Sequence, residues 1–272
     1  MGLLAGALTG CADLPTPSMR GVVWQPDAAT IRPSGDWERL GARELLVQWT
    51  VVDGVALTPI PGLPDAPVQP DWPRIGVEPW ASRVIVGLAG MTDESRARGA
   101  LEELARQSAM AARNPPPVRV AGWYFPVEID PGWTDATRLR LLLASLPRPL
   151  WVSAYDGQNV GPGPLATLLK AALPEDVGVL LQDGVGGHAR SPEVAVHYVQ
   201  VLRRALGRRR VRLIAEAFRP AVGGGLRAAT ASELASQLRA YRGVPVYVFD
   251  GPHYVSANMV DSLAARTALS RP

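Results

Sequence analysis

Residues 84–123 open with Val84-Ile85-Val86-Gly87-Leu88, continue through Glu94 to Ala112, and close with Val118-Arg119-Val120-Ala121-Gly122-Trp123. The outer runs are short, apolar and rich in β-branched residues, which reads as strand. Between them Ala100, Leu101, Leu104 and Ala105 fall on one helical face, leaving Arg96, Arg98 and Arg106 for solvent. The stretch is therefore a strand, a helix and a second strand, the unit from which parallel sheets are built.

Working outward, the same kind of run recurs. Gly21-Val22-Val23-Trp24 and Leu45-Leu46-Val47-Gln48-Trp49 come before it. Leu150-Trp151-Val152-Ser153-Ala154, Val177-Gly178-Val179-Leu180-Leu181, Val211-Arg212-Leu213-Ile214-Ala215 and Val244-Pro245-Val246-Tyr247-Val248-Phe249 follow. Eight strand signals, most of them about thirty residues apart, predict a closed (β/α)₈ TIM barrel. A doubly wound open sheet is the main alternative, but no glycine-rich phosphate fingerprint follows the first strand. Helix starts support the barrel: Thr134, Ser191 before Pro192, Thr230 or Ser232, and Ser256 are all cap candidates. The proline-rich stretch from Val52 to Trp72 reads as a long loop leaving the C-terminal end of the second strand, where it is expected to form one rim of a cleft.

Composition agrees with a folded domain: 47% of the 272 residues are hydrophobic and 19% charged. The isoelectric point of about 9.3 does not imply nucleic-acid binding, because the formal net charge is only +3. The single dense arginine block, Arg203, Arg204 and Arg208 to Arg210, falls at a predicted helix C-terminus, where cations favour the dipole. One cysteine excludes an internal disulfide and a cysteine-based zinc site. That residue, Cys11, ends Leu8-Thr9-Gly10-Cys11 after an apolar stretch, a pattern that resembles the bacterial lipobox. Residues 1–20 are thus expected to be a lipoprotein signal segment and linker, although no basic residue precedes the apolar stretch, and 21–272 the barrel. The resemblance implies a lipid-anchored protein on the periplasmic or extracellular face of a bacterial envelope.

Polar residues collect at the C-terminal ends of the predicted strands: Asp53, Glu128, Tyr155, Asp156, Gln182, Asp183, Glu216 and Asp250. Barrel enzymes keep their chemistry at that end. Glu128 and Glu216, after strands four and seven, resemble the carboxylate pair of the large retaining-glycosidase clan. That likeness implies that the first is the acid/base and the second the nucleophile. Breaking a glycosidic bond needs one carboxyl to protonate the leaving oxygen and another to meet the anomeric carbon. The clan places Asn before its acid/base, whereas Val127 stands here. Trp24, Gln48, Trp49, Trp123, Tyr155, Gln182, Asp183, Asp250 and His253 are the expected contacts for sugar rings and hydroxyls. His188, His197 and His253 lack a metal-ligand spacing, so neither a metal nor a cofactor is expected.

Val47-Gln48-Trp49-Thr50, Gly122-Trp123-Tyr124-Phe125-Pro126-Val127-Glu128-Ile129-Asp130 and Leu181-Gln182-Asp183-Gly184-Val185-Gly186 resemble a bacterial domain-of-unknown-function family of glycosidase-like TIM barrels, over most of the chain from Gly21 onward. The expected function is an exported glycoside hydrolase acting on a polysaccharide or oligosaccharide. The alternative is a catalytically inactive glycan-binding barrel in an envelope or exopolysaccharide assembly.

Overall fold

The computed structural model describes residues 19–268. Cys11 and nearly all of the expected signal segment lie outside them. Eight parallel strands close into a barrel: β1 (Gly21–Trp24), β2 (Glu44–Val47), β3 (Arg83–Gly87), β4 (Val120–Ile129), β5 (Leu150–Ala154), β6 (Val177–Gln182), β7 (Val211–Glu216) and β8 (Val246–Phe249). Each pairs with its neighbour in sequence, and β1 pairs with β8 to complete the circle. The (β/α)₈ barrel expected from the apolar runs is the fold of the chain.

The interior is built from one residue of every strand: Val23, Leu46, Ile85, Tyr124, Trp151, Leu180, Ile214 and Tyr247. Side chains alternate along a strand, so the residues two steps further on face the same axis one layer higher. Gly178 leaves room for Trp151, because a Cβ there would lie 2.4 Å from the indole ring. A larger apolar layer separates the strands from α1 (Trp72–Val77), α2 (Glu94–Gly99), α3 (Leu101–Arg113), α4 (Leu139–Ala144), α5 (Pro162–Ala172), α6 (Pro192–Leu206), α7 (Ala231–Ala240), α8 (Gly251–Tyr254) and α9 (Ala257–Ala268). No described helix is long and apolar enough to cross a membrane.

Caps behave as their side chains dictate. Ser191 accepts from the Val194 amide, and Thr230 forms a reciprocal capping box with Glu233. Two helices differ from expectation. The segment from Glu94 to Ala112 breaks at Gly99 and Ala100 into α2 and α3, glycine being a poor interior helix residue. The helix expected at Thr134 begins as a 3₁₀ turn at Ala136 and becomes α4, which buries Leu139 and Leu143 but leaves Leu141 82% exposed.

The loop from Val52 to Trp72 leaves the C-terminal side of β2, as expected. Its first residues join a small sheet in which Val51–Val52 pairs with Val55–Ala56 and with Ala89–Gly90. It does not wall the cleft, however. Leu57 and Ile60 turn into the outer core and Gly62 lies against Met110 of α3, because burying that apolar surface stabilises the loop more than standing at a mouth would.

Candidate active site

A cleft of about 180 Å³ opens at the C-terminal mouth above the interior layer. Its floor is Val23, Leu46, Tyr124 and Ile214, and its walls are Gln48, Glu94, Glu128, Ser153, Gln182 and Phe249. Strand alternation supplies most of the walls: Gln48 follows Leu46 by two, Ser153 follows Trp151, Gln182 follows Leu180 and Phe249 follows Tyr247. Glu128 arrives differently. β4 is longer than its sequence signal and carries an irregularity, so that Phe125 pairs with Val152 while Glu128 pairs with Ser153. Pro126 has no amide hydrogen for the ladder, and the irregularity leaves Pro126 and Val127 out of register with β5, Pro126 lining the cleft, Val127 in the outer core and Glu128 beyond them in the cleft wall.

Helix α2 clamps that bulge. The Glu94 carboxylate accepts the Glu128 amide at 2.7 Å, and Arg98 donates to the Glu128 carbonyl at 2.9 Å and pairs with Asp130 at 2.6 Å. Arg98 is therefore tied down, which corrects its reading as a solvent-facing residue. Gln182 donates its amide to the Glu128 carboxylate, and the Tyr124 hydroxyl donates to Ser153 at 2.8 Å. Burial pushes Glu128 up to about 7, against Gln182 and Arg98, which favour its charged form. Burial does the same to Glu94, also to about 7, and the neighbouring Glu128 charge adds to it.

Glu216 follows Ile214 by two on β7 and so faces the axis one layer above the floor. It is 3% exposed, covered by the Gly186-Gly187 turn, where a Cβ on Gly186 would strike its side chain at 2.6 Å. The Gly187 amide donates to its carboxylate at 3.2 Å. Burial, then the nearby Asp183 charge, raise its pKa. Asp183 itself accepts from the Val185 and Glu216 amides at 3.1 and 3.2 Å, from Gln237 at 2.5 Å and from Tyr241 at 2.7 Å. Burial pushes Asp183 up as well, against the four donors aimed at it, which favour its charged form.

Several expected sugar contacts lie elsewhere. Trp24, Trp49 and Trp123 occupy outward positions beside the inward Val23, Gln48 and Tyr124, and are buried in the layer behind the barrel. Trp24 packs edge-on against Trp72, and the Trp49 indole donates to the Pro26 carbonyl at 3.3 Å. A one-residue change of register moves a side chain from the axis to the helices, and these three are on the wrong side for a ligand. Asp183 is 0% exposed and, as shown by its partners, ties α7 to β6 and β7. Tyr155 is half-buried, with its hydroxyl beside Gly187. Asp250 is 1% exposed, accepting from the Gln25 amide at 2.8 Å and contacting His253 at 3.1 Å, and its second oxygen is buried without a partner among the described residues. Burial lifts Asp250 to about 6. His253 also meets Asp27 at 3.0 Å; burial lowers its pKa, but the two carboxylates overcome that and raise it.

Sequence reasoning missed Glu94, Arg98, Phe218 and Phe249. Phe249 in the cleft wall meets Phe218 edge-on at 6.3 Å, and Phe218 meets Tyr254 at 5.5 Å, so three rings lead outward from the cleft. A signal for the first two existed: Glu94 and Arg98 are an i,i+4 pair a few residues beyond the end of β3. Among the described residues no group of three His, Cys, Asp or Glu side chains is arranged to hold a metal ion.

Fold and site together define a (β/α)₈-barrel protein with a carboxylate-lined cleft at the C-terminal mouth. The fold is similar to that of a protein assigned as an alpha-L-fucosidase from Bacteroides thetaiotaomicron VPI-5482, with a TM-score of 0.64 and 12% identity over 98% of this chain and 99% of that one. The PgaB (BpsB) glycoside hydrolase domain from Bordetella bronchiseptica is a looser likeness, with a TM-score of 0.46 and 13% identity over 92% of this chain and 98% of that one. No family model matches the chain, and neither does any curated protein.

Proposed function

We propose that this protein is an exported, retaining glycoside hydrolase acting on a polysaccharide, with Glu128 as acid/base and Glu216 as nucleophile. The observation that carries the reading is that burial places Glu128, in the cleft wall, at about 7. A carboxyl with that pKa is still largely protonated in mildly acidic solution and ionises at neutral pH, as a group that must first donate and then accept a proton requires. Glu128 gives its proton to the glycosidic oxygen as the bond to the anomeric carbon breaks, and the Glu216 carboxylate takes that carbon. Ionised Glu128 then removes a proton from water, which displaces Glu216 and restores both groups. The Gly187 amide favours the charged Glu216 that attack needs. Gln48, Gln182 and Ser153 offer hydroxyl partners, and the ridge of Phe249, Phe218 and Tyr254 offers faces for sugar C–H groups. A fold shared with a protein assigned as a fucosidase fits a sugar substrate.

One observation favours a second assignment of the nucleophile. Glu94 lines the same cleft as Glu128 and feels its charge, whereas Glu216 sits behind the Gly186-Gly187 turn. In that reading Glu94 and Glu128 work as the pair, and Glu216 supports the wall. Export and anchoring rest on the lipobox-like Leu8 to Cys11. Labelling with a fatty-acid analogue marks the wild type and not Cys11→Ala if the anchor is real. For the enzyme, release of reducing ends from a polysaccharide panel tests activity. A wild type that binds a glycan without cleaving it is the inactive binder.

A further inference from the structure

The residues that lead into the barrel strands are mostly arginines. Arg20 precedes β1, Arg43 precedes β2, Arg83 opens β3, Arg119 precedes β4, Arg148 stands two residues before β5, Arg208 to Arg210 run into β7, and Arg242 sits shortly before β8. Parallel strands all begin at one end of the barrel, so this recurrence along the chain becomes a ring around the N-terminal mouth. Only β6 is led by acids, Glu175 and Asp176. Helices α5 and α6 return to the same end and add Lys170, Arg203 and Arg204 from their last turns.

Some of these cations have internal work: Arg20 and Arg83 pair with Glu44, and Arg148 with Asp176. Arg119, Lys170, Arg204, Arg208, Arg209 and Arg242 are exposed and have no side-chain partner among the described residues. Two cavities open between them. One of about 450 Å³ is lined by Arg140, Lys170 and Arg210 with Glu175, and one of about 220 Å³ by Arg203, Arg204 and Arg208. Val77, just before β3, adds an apolar side chain that is 81% exposed. The chain also joins the barrel here, since the Arg20 amide bonds to the Val246 carbonyl at the start of β8. Cys11 is eight residues from Met19, so even fully extended the link spans no more than about 30 Å.

We propose that the N-terminal mouth is a docking surface for anionic phospholipid headgroups, which holds the barrel with its carboxylate cleft facing away from the bilayer. Exposed guanidinium groups around a rim can each meet a separate headgroup, and their attraction to an anionic leaflet adds from charge to charge. A nucleic-acid strand fits this surface less well, because the cations are spread around a ring and, among the described residues, no exposed aromatic rings are interleaved with them. The proposal goes beyond the lipobox reading, because it needs no acyl chain.

The test uses the full-length chain carrying Cys11→Ala, so that acylation contributes nothing and its absence cannot be mistaken for failure of the surface. The protein is sedimented with vesicles of phosphatidylcholine alone or mixed with phosphatidylglycerol. Binding is expected only with phosphatidylglycerol and falls as salt is raised. Replacing Arg204, Arg208 and Arg209 together by Ser should weaken it on the order of a hundredfold. The control triple Arg32→Ser, Arg96→Ser and Arg227→Ser, in a loop, a helix and a short hairpin strand beyond the other ends of the barrel strands, should bind as the parent does. Thermal melts of both triples establish that each is folded. Equal binding to neutral vesicles, equal loss in both triples, or tighter binding to a DNA duplex than to the anionic vesicles would overturn the proposal.

Discussion

The two mouths of the barrel treat a buried carboxylate in opposite ways. At the N-terminal mouth Glu44, 3% exposed, meets Arg20 at 2.6 Å, Arg212 at 3.5 Å and Arg83 at 3.6 Å, and accepts from the Tyr247 hydroxyl. Arg212 is in turn stacked 3.8 Å above the Trp151 ring. Burial alone would raise the Glu44 pKa, yet its hydrogen bonds and cations win and lower it. At the C-terminal mouth Glu94, Glu128, Glu216 and Asp250 are all raised by burial, and among the described residues only Glu94 and Asp250 have a basic partner within ion-pair distance, Arg98 at 3.4 Å and His253 at 3.1 Å. The same residue type in the same barrel is a structural tie where cations surround it and a proton store where they do not. Perturbed carboxyls collected at one mouth, with fewer of the cations that make Glu44 structural, are the pattern expected of acid–base chemistry.

The largest effect tests the C-terminal mouth directly. Glu216→Gln nearly preserves shape but removes a nucleophile, so turnover should fall on the order of a thousandfold or more while KM changes little. If Glu94 is the nucleophile, the loss moves to Glu94→Gln, and the steady-state rates of the two variants separate the assignments. Glu128→Gln removes the proton donor, so it should spare substrates with good leaving groups, and azide should restore its second half-reaction.

The next effect tests the other mouth. Glu44→Gln leaves Arg20 and Arg212 without their countercharge, which should cost about 2–3 kcal/mol of stability in denaturant titrations with no direct effect on chemistry. The mouths should also respond oppositely to pH. The folded-state pKa of Glu44 lies below its unfolded value of 4.5, so its contribution is present above that value and disappears as pH falls through the folded pKa. Glu128 is raised from 4.5 to about 7, so the folded state binds its proton more tightly, and that contribution, complete below 4.5, is lost as pH rises through 7. Glu128→Gln should therefore be more stable than wild type at pH 8, by up to about 3 kcal/mol in denaturant titrations, with the gain shrinking to nothing near pH 4.5. A gain independent of pH would break the contrast between the mouths.

The barrel was legible because its strands are covered on both faces, so each reads as an apolar run whatever its register. Glu216 and Gln182 were legible as strand-end residues for the same reason. The tryptophans were not. Trp49 stands beside Gln48, and only the alternation set by Leu46 tells which of them faces the axis. Glu128 was found as a residue but not as a geometry, since the bulge at Pro126 and Val127 is a choice between ladder and loop that local pattern does not decide. Glu94 was hidden inside a segment that read as one uniform amphipathic helix until Gly99 broke it.

The smallest effect concerns Arg98, which touches no expected substrate atom and acts as a positioning residue through the β4 bulge. It donates to the Glu128 carbonyl, pairs with Asp130 at 2.6 Å, and its charge holds the Glu128 pKa lower than burial alone would set it. Arg98→Gln should loosen the acid/base by fractions of an ångström and lower kcat by about tenfold, with little change in KM. A purely structural role would stop there. Losing the guanidinium charge also frees Asp130, whose carboxylate raises the Glu128 pKa, so both changes push in one direction. The alkaline limb of the kcat profile, expected near 7 in wild type, should move to higher pH in Arg98→Gln and return most of the way in Arg98→Lys, which restores the charge without the two-pronged contact. A limb that stays in place while kcat falls would mean that the clamp holds shape alone and leaves the proton to burial.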